Sequence, residues 1–479
     1  MRCFVLVTFA LCFGPIITSA ENGVGPIVII TPKSPRTARK IHKIPPTSQL
    51  KSSADVVRYG GSVSSPPSSK LPSIHWAVLH SWLYFLSLGF NAINIQFLVR
   101  EIVDGAAATG PSAQAIALSG KVESVDKILT FAGIGFLSAL SDKFGRRPLM
   151  AWSALGFMCT NLIQACTRSS IAMLYLADFV DGISSCMMPL CQAYVIDASP
   201  SDKRAANLGV FQGLSVGGAF IFAFPIGGIL GAKFGPRVPL LIAAGIQLIN
   251  ALIIMFLTPE SHTPNVGAKI DLREVNPIGG LVRLFGGLPL LRVASLALFL
   301  ASLGRSSLDA QFTNYVNIRF GWTQAQTGPL LVLVGLMLAV GPRILVPLLG
   351  LKNTILSGLL FLAAGLVGTG LAPTPVRFVG SIAVVSVGCT CLPALQALMA
   401  NLAKPEERGA LLGAVGSLNE LTGAIGSTLF AGLLAKFTAS DAPLPIPGMH
   451  FLAGAFMMMV AWGIAVPGFI ANKDHPAFD

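Results

Sequence analysis

Charged residues are scarce in this sequence. Only 11% of its 479 residues are Asp, Glu, Lys or Arg, and 53% are hydrophobic, whereas a soluble globular protein has about 25% charged residues. A water-facing surface cannot be built from so few charges. Apolar runs recur from Trp76 to Ile470, and each run of about 20 residues is long enough to cross the hydrocarbon core of a bilayer. The composition therefore predicts an all-α membrane protein with many spans.

Signatures of several other protein classes are missing as well. The eight cysteines lie in the amino-terminal leader or inside apolar runs and include no CxxC pair, so neither a disulfide framework nor a metal site is expected. The histidines are scattered, with no motif of a nucleophile and a base around them, and no phosphate-binding glycine motif occurs. We therefore expect no enzymatic activity, no cofactor, no metal and no ATP-driven transport.

The net charge of +12 is compatible with nucleic-acid binding at first sight. However, Lys and Arg are concentrated in the amino-terminal tail and in short loops rather than on one basic face. In a membrane protein, such charges set the orientation of the spans. We therefore predict no nucleic-acid partner.

The first 73 residues differ from the rest of the chain. Residues 1–20 have a basic residue, then a short apolar stretch, then small residues ending at Ala20, which is typical of a signal-like leader. Residues 21–73 are basic and rich in Ser and Pro, which predicts a disordered tail with the composition of a transit peptide. One interpretation is a bipartite leader for a plastid envelope; the other is an uncleaved leader on a protein of an endomembrane or the plasma membrane.

Twelve apolar runs are predicted to span the membrane, six on each side of a polar linker at residues 258–288. The halves are residues 74–257 and 289–471, and residues 472–479 form a short tail. The predicted spans 1 to 12 cover residues 76–97, 122–141, 149–167, 171–196, 207–231, 238–257, 290–312, 328–349, 354–372, 376–401, 409–435 and 449–471. The loop from Ser141 to Pro148 is basic, so the positive-inside rule predicts that this loop, the linker and both termini lie on one side, here called the inner side.

An internal repeat supports the division into two halves. At a constant offset of 204 residues, seven positions in a stretch of 22 are identical. Pro189, Gln192, Ala193, Arg204, Ala206, Leu208 and Gly209 match Pro393, Gln396, Ala397, Arg408, Ala410, Leu412 and Gly413. We interpret the halves as parallel repeats about an axis along the membrane normal.

The loop between spans 2 and 3, starting at Ser138, reads SALSDKFGRRP. It resembles the signature loop G-x-L-x-D-R-x-G-R-R of the major facilitator superfamily. Further similar segments begin at Tyr175, Ala193, Asp202, Pro225 and Pro259, and segments beginning at Leu392, Arg408 and Ser417 look like the tetracycline antiporter branch. The resemblance covers about residue 76 to 471. It implies twelve helices in two pseudo-symmetric six-helix halves, working as a drug and proton antiporter.

The signature loop predicts a gate on the inner side. Asp142 can accept hydrogen bonds from a neighbouring helix end, Gly145 permits a tight turn, and the two arginines can pair with acids. The candidate gating residues are Asp142, Gly145, Arg146, Arg147, Asp197 and Arg204. The alternative is that this basic loop is only a solvated orientation signal.

Ionisable residues inside spans are costly and are therefore candidates for charge coupling. Asp178 and Asp181 are three residues apart on one face of span 4, so the two cannot both ionise easily and a proton can be held and released there. The alternative is that Asp181 lines water near a helix end. Arg305 and Asp309 in span 7 are predicted to form an ion pair, which either neutralises two buried charges or binds a charged substrate by exchange. Glu420 in span 11 is expected to be the remaining buried acid.

Neutral polar residues near the middle of several spans predict a substrate cavity between the halves. They are Asn91, Asn94, Gln192, Gln311, Gln396 and Asn419. The alternative for each is a hydrogen bond between neighbouring helices.

Together these patterns predict a secondary active transporter that moves a small organic solute by alternating access, coupled to protons as an antiporter. Its expected partners are the solute, protons and the lipid bilayer, and we expect a monomer. Where the antiporters have an acid in helix one and an arginine in helix four, this chain has Tyr84 and Asp178. These departures favour the alternative of a proton-independent uniporter or exchanger. A transporter-like receptor is the third possibility, but only eight residues follow Ala471.

Overall fold

A computed structural model describes residues 72–200, 204–262, 264, 276–403 and 408–478, and all regular structure in this part of the chain is helical. The predicted leader, nearly all of the predicted tail and most of the polar centre of the linker lie outside the described residues.

The described helices form twelve spans, as predicted. Spans 1 to 6 are Ile74–Asp104, Ala113–Phe144, Arg146–Cys166, Ile171–Ser184 with Met187–Asp197, Arg204–Gln212 with Gly213–Gly217 and Gly218–Phe234, and Arg237–Phe256. Spans 7 to 12 are Pro289–Phe320, Gln324–Leu349, Leu351–Leu371, Pro375–Gly388 with Cys391–Leu402, Arg408–Thr438 and Met449–Ala471. Ten spans are long and apolar enough to cross a membrane, and two shorter apolar segments, Gly218–Phe234 and Gln324–Met337, lie in spans 5 and 8. A short helix, Pro277–Gly286, precedes span 7, and a 3-10 turn at Pro476–Phe478 follows span 12.

Spans 2 and 7 are longer than hydropathy alone predicts. Each has 32 residues, or about 48 Å of helix, which exceeds the thickness of the hydrocarbon core. Span 2 begins at Ala113 because the Ser112 hydroxyl accepts a hydrogen bond from the backbone N–H of Ala115, at 3.2 Å. The extra turns on this side carry polar residues that an apolar window leaves out.

Spans 4 and 10 are both broken near mid-membrane. The first segment of span 4, Ile171–Ser184, is followed 204 positions later by Pro375–Gly388, and the second segments begin at Met187 and Cys391, again 204 positions apart. The backbone N–H of Cys186, at the first break, donates to the Ser153 hydroxyl at 3.3 Å. The helix breaks thus follow the same offset as the sequence repeat.

The two halves contact each other on the side opposite the Ser141–Pro148 loop, here called the outer side. Spans 2 and 11 pack closely at Gly120, where an added Cβ would meet Ser427 and Ala431, and spans 5 and 8 pack at Gly328. All hydrogen bonds between the halves among the described residues lie between this outer side and mid-membrane. The cleft between the halves therefore opens toward the inner side.

Candidate functional site

Arg146, the first residue of span 3, organises the inner loop. Its side chain is 10% exposed; Nη1 lies 2.5 Å from Asp142 Oδ1, and Nε lies 3.1 Å from Asp197 Oδ2. Nη1 also donates to the Ser141 hydroxyl at 2.5 Å. The guanidinium thus ties the end of span 2 to the end of span 4 with charge-assisted hydrogen bonds.

Glu260, just after span 6, caps the amino terminus of span 3. Its carboxylate accepts hydrogen bonds from the backbone N–H groups of Arg146 at 2.9 Å and Arg147 at 3.1 Å, where the helix dipole favours a negative charge. Gly145 has a φ of 101°, and a Cβ there would lie 2.5 Å from a Glu260 carboxylate oxygen. The glycine is therefore required by both the turn and the carboxylate.

The other two candidate gating residues lie at the edge of this arrangement. Arg147 Nε donates to the Ile254 carbonyl at 2.9 Å, near the end of span 6. Arg204 is exposed and donates to the Ser199 carbonyl at 3.4 Å. Glu260 was missed as a site residue because its carboxylate reaches span 3 only through folding, although it belongs to a motif that carried the family resemblance.

Charged side chains from four spans meet near mid-membrane in what we call the central charge cluster. Its members are Glu123, Asp126, Lys127, Asp178, Asp181, Arg305, Asp309 and Glu420. Lys127 Nζ lies 3.2 Å from Asp126 Oδ2 and 3.5 Å from Glu420 Oε2. Because Glu420 is in span 11, Lys127 joins the two halves.

Asp178 and Asp181 of span 4 reach the cluster together, as their spacing predicts. Gln164 Nε2 donates to Asp178 Oδ1 at 3.2 Å, whereas Asp181 Oδ1 is buried and has no hydrogen-bond partner among the described residues. The charged groups close enough to act on Asp181 are Asp126, Asp178, Lys127 and Glu420.

Arg305 and Asp309 form the ion pair that their spacing predicts, with 3.0 Å between Nη2 and Oδ2. Their side chains are 37% and 49% exposed, which fits a water-accessible cleft better than a sealed neutral pair. Glu123 of span 2 lies near Asp309 across the cleft.

Three members of the cluster were missed by sequence reasoning, and Glu420 is therefore not the remaining buried acid. Glu123, Asp126 and Lys127 all lie on span 2, at positions i, i+3 and i+4, so they share one helix face. Three charged residues on one face of an apolar span indicate a buried charged site, and this pattern is visible in the sequence. Span 2 was assigned from its apolar residues alone.

Two of the predicted cavity residues are buried between helices instead. Asn91 donates to Asn161 at 2.9 Å and to Gln164 at 2.6 Å. Asn94 is fully buried and donates to the Gly227 carbonyl of span 5 at 3.1 Å. The structure favours the helix-to-helix alternative for both residues, because these contacts occupy their amide donors within the first half.

Of the four remaining cavity candidates, two accept hydrogen bonds from other side chains and two are partly exposed. Gln311 is fully buried and accepts a hydrogen bond from Asn314 at 3.0 Å. Asn419 accepts one from the Ser302 hydroxyl at 3.0 Å, which links spans 7 and 11. Gln192 and Gln396 are partly exposed, and their assignment to the cavity stays a prediction.

Tyr84 stands beside the central charge cluster. Charges of Asp126, Lys127 and Asp181 act on its phenol group, and its ring lies 5.0 Å from the ring of Phe157. The position at which the antiporters have a helix-one acid therefore places a phenol group beside the carboxylates.

The central charge cluster has six carboxylates and two bases. Two like charges 4 Å apart repel by about 4 kcal/mol at an effective dielectric constant of 20. A site with four surplus carboxylates is therefore favourable only if some hold protons or a cation is bound. No group of three His, Cys, Asp or Glu side chains able to hold a metal ion was found in the described ranges.

Comparisons with known proteins agree with this architecture. The Hippocampus abundant transcript-like protein 1 of Homo sapiens is 22% identical over 418 residues, which cover 82% of this chain and 80% of the relative. The class C tetracycline resistance protein of Escherichia coli is 26% identical over 338 residues, covering 70% of this chain and 83% of the relative.

Among solved structures, the human organic anion transporter MFSD10 (TETRAN) superposes with a TM-score of 0.63 at 19% identity, covering 84% of this chain and 100% of that one. This likeness confirms the predicted fold. The family model of the Major Facilitator Superfamily matches residues 77–427. The chain therefore belongs to the major facilitator superfamily and is a multi-pass membrane protein of its transporter fold.

Proposed function

We propose that the protein is a secondary active transporter that exchanges a small organic solute for protons by alternating access. The observation that carries this proposal is the surplus of carboxylates in the central charge cluster, at the cleft between the halves. Transporters of this architecture bind substrates and coupling ions near the bilayer midplane, where the repeats meet.

Protons are the simplest partners of the surplus carboxylates. Asp181 has a buried oxygen without a hydrogen-bond partner among the described residues, and Asp178 and Asp126 lie close to it. A proton on one of these acids removes the repulsion, and its release to the other side restores the charge. Opening of the cleft to one side at a time couples this step to solute movement.

The inner loop is the proposed gate. The contacts of Arg146 with Asp142 and Asp197, and the cap that Glu260 forms on span 3, hold the inner ends of spans 2, 3, 4 and 6 together as one unit. A rigid unit of this kind allows the first half to rotate as a body during the cycle.

The test uses the purified full-length protein in liposomes that contain the pH-sensitive dye pyranine. A solute panel that includes tetracycline, chosen because of the tetracycline resistance relatives, is added with and without a pH gradient. We expect at least one solute to move protons, and the Asp178→Asn and Asp181→Asn variants to lose this proton movement. Asp441→Asn is the matched control because Asp441 is exposed and lies in the loop after span 11, outside the spans.

The alternative is a proton-independent uniporter or exchanger, favoured by Tyr84 and Asp178 at positions where the antiporters have an acid and an arginine. Radiolabelled solute entering the liposomes at the same rate with and without the gradient, and without any dye response, would establish that alternative.

A further inference from the structure

Lys127 places an alkylammonium group between carboxylates of the two halves. Its Nζ lies 3.2 Å from Asp126 and 3.5 Å from Glu420, and its side chain is 33% exposed to the cleft. The protein therefore shows, with one of its own side chains, that this position accepts an ammonium ion. We call the space between Asp126 and Glu420 the ammonium seat.

Lys127 does not use up the negative charge around the ammonium seat. Arg305 is committed to Asp309 at 3.0 Å. Glu123, Asp178 and Asp181 have no ion-pair partner within 4 Å among the described residues, and Asp181 Oδ1 is buried without a hydrogen bond. A second cation therefore finds unpaired acids beside the seat, whereas an anion meets repulsion from most directions.

The wall next to the ammonium seat is aromatic. Tyr84 lies near Asp181, its ring is 5.7 Å from Phe85, and Phe85 is 5.5 Å from Phe220 of span 5 in an edge-to-face arrangement. Aromatic faces bind both the apolar body of a solute and a cationic nitrogen above the ring. Carboxylates and aromatic rings together suit an amine with an apolar body.

We propose that the ammonium seat binds the protonated amino group of the transported solute, which makes the solute an organic amine and makes Lys127 an internal competitor for the same carboxylates. This inference rests on the proposed transport function and adds a substrate class to it. When the solute amine binds Asp126 and Glu420, Lys127 loses its hold on Glu420. The link between the halves then passes from the protein to the solute.

The first test compares two probes of similar shape and opposite charge. Phenethylamine and 3-phenylpropionate are titrated into the full-length protein in lipid nanodiscs by calorimetry at pH 7.5, without any gradient. We expect the amine to bind about tenfold or more tightly than the carboxylate, which corresponds to the loss of one favourable charge pair. Equal binding, a preference for the carboxylate, or no binding of the amine would overturn the proposal.

The second test uses the opposite signs expected for Lys127 and Glu420. Lys127→Gln removes the competitor, so we expect phenethylamine to bind about tenfold more tightly, whereas Glu420→Gln removes one side of the seat and should weaken binding about tenfold. Lys127→Arg keeps the charge and should give no gain. Lys121→Gln, an exposed position on the same helix, controls for the general loss of a positive charge.

A purely structural role for Lys127 predicts the reverse, because the loss of a stabilising ion pair would weaken binding. Weaker amine binding by a Lys127→Gln protein that elutes as a folded species by size exclusion would therefore contradict the proposal. If Lys127→Gln does not fold, the Glu420→Gln variant and the two-probe comparison still decide the question.

The pyranine assay separates the two proposals. Proton movement without any preference for amines would remove the substrate class and leave the proton-coupled transporter. A preference for amines without proton movement would leave the ammonium seat and remove the coupling.

Discussion

The two halves of the transporter are packed by different forces. In the second half, buried apolar residues form one continuous cluster that includes Leu366, Phe378 and Phe451. Ile116 of span 2 joins this cluster, and other buried apolar residues of the first half form three smaller clusters. The first half also contains buried polar residues that hydrogen-bond between helices. For example, the two ring nitrogens of His80 lie 2.8 Å from the side-chain oxygens of Asn250 and Thr258.

The same division separates the charged sites. The first half holds the arginine-centred inner loop and four of the six acids in the central charge cluster. Between spans 8 and 9 of the second half, a positive-φ glycine, Gly350, separates the two helices, and the Thr354 hydroxyl donates to the Leu345 and Gly350 carbonyls. Directional hydrogen bonds thus contribute more to the half with the inner loop, and close apolar packing contributes more to the other half.

The largest expected effect tests this difference in packing. Leu366→Ala removes a fully buried side chain from the second-half cluster and should lower the free energy of unfolding by about 3 kcal/mol. Asn161→Ala removes the hydrogen bond that Asn161 accepts from Asn91 in the first half. It should lower the free energy of unfolding by about 1 kcal/mol, since hydrogen bonds between membrane helices are individually weak. Unfolding of both variants in detergent measures the two losses of unfolding free energy. Equal losses would contradict the proposed difference in packing between the halves.

Two glycines with positive φ allow the inner loop to be compared with the loop between spans 8 and 9. Gly145 and Gly350 both have positive φ, but a Cβ would meet the Glu260 carboxylate at Gly145 and nothing within 4 Å at Gly350. Gly350→Ala should cost only about 1 kcal/mol of backbone strain, and Gly145→Ala about 2 kcal/mol because Glu260 must also move off the helix end. The difference in unfolding free energy between the variants isolates the Glu260 contact.

The charges of the inner loop should matter more for transport than for stability. Arg146→Ala removes the contacts with Asp142 and Asp197 and should slow transport about tenfold, which corresponds to about 1.4 kcal/mol. Lys352→Ala, at the start of span 9, is the second-half control and should leave the rate unchanged. A transport rate in Arg146→Ala equal to that of the unmodified protein would reduce the loop to an orientation signal.

The smallest expected effect concerns the outer contact between the halves. Gln96 of span 1 donates to the Ala310 carbonyl at 2.6 Å and accepts from the Asn314 N–H at 2.9 Å, so it binds the two groups that a helix pairs four residues apart. Gln96→Ala should weaken outer closure by about 0.6 kcal/mol. Distances between spin labels on the outer ends of spans 2 and 11 should then shift toward the separated state, and an unchanged distribution would argue against a role for Gln96.

Part of the candidate site could be predicted from the sequence. Arg305 and Asp309 are four residues apart in one helix, so helix geometry alone brings this pair together. Asp142 and Arg146 flank the tight turn at Gly145, so their proximity is also local in the chain. The charged triplet on span 2 was equally local and could have been predicted. Glu260 could not, because its partners at Arg146 and Arg147 lie more than 100 residues earlier in the chain.

The number and order of the spans could be derived from the sequence, because both depend on the length of the apolar runs, which is a local property. The orientation inferred from the loop charges stays a prediction. Only the tertiary structure decided which polar residues face the cleft. Asn94 and Lys127 are both polar residues within apolar spans, yet one is sealed against span 5 and the other reaches Glu420 across the cleft. That choice depends on the rotation of each helix against its neighbours, which is set by packing between residues distant in the chain.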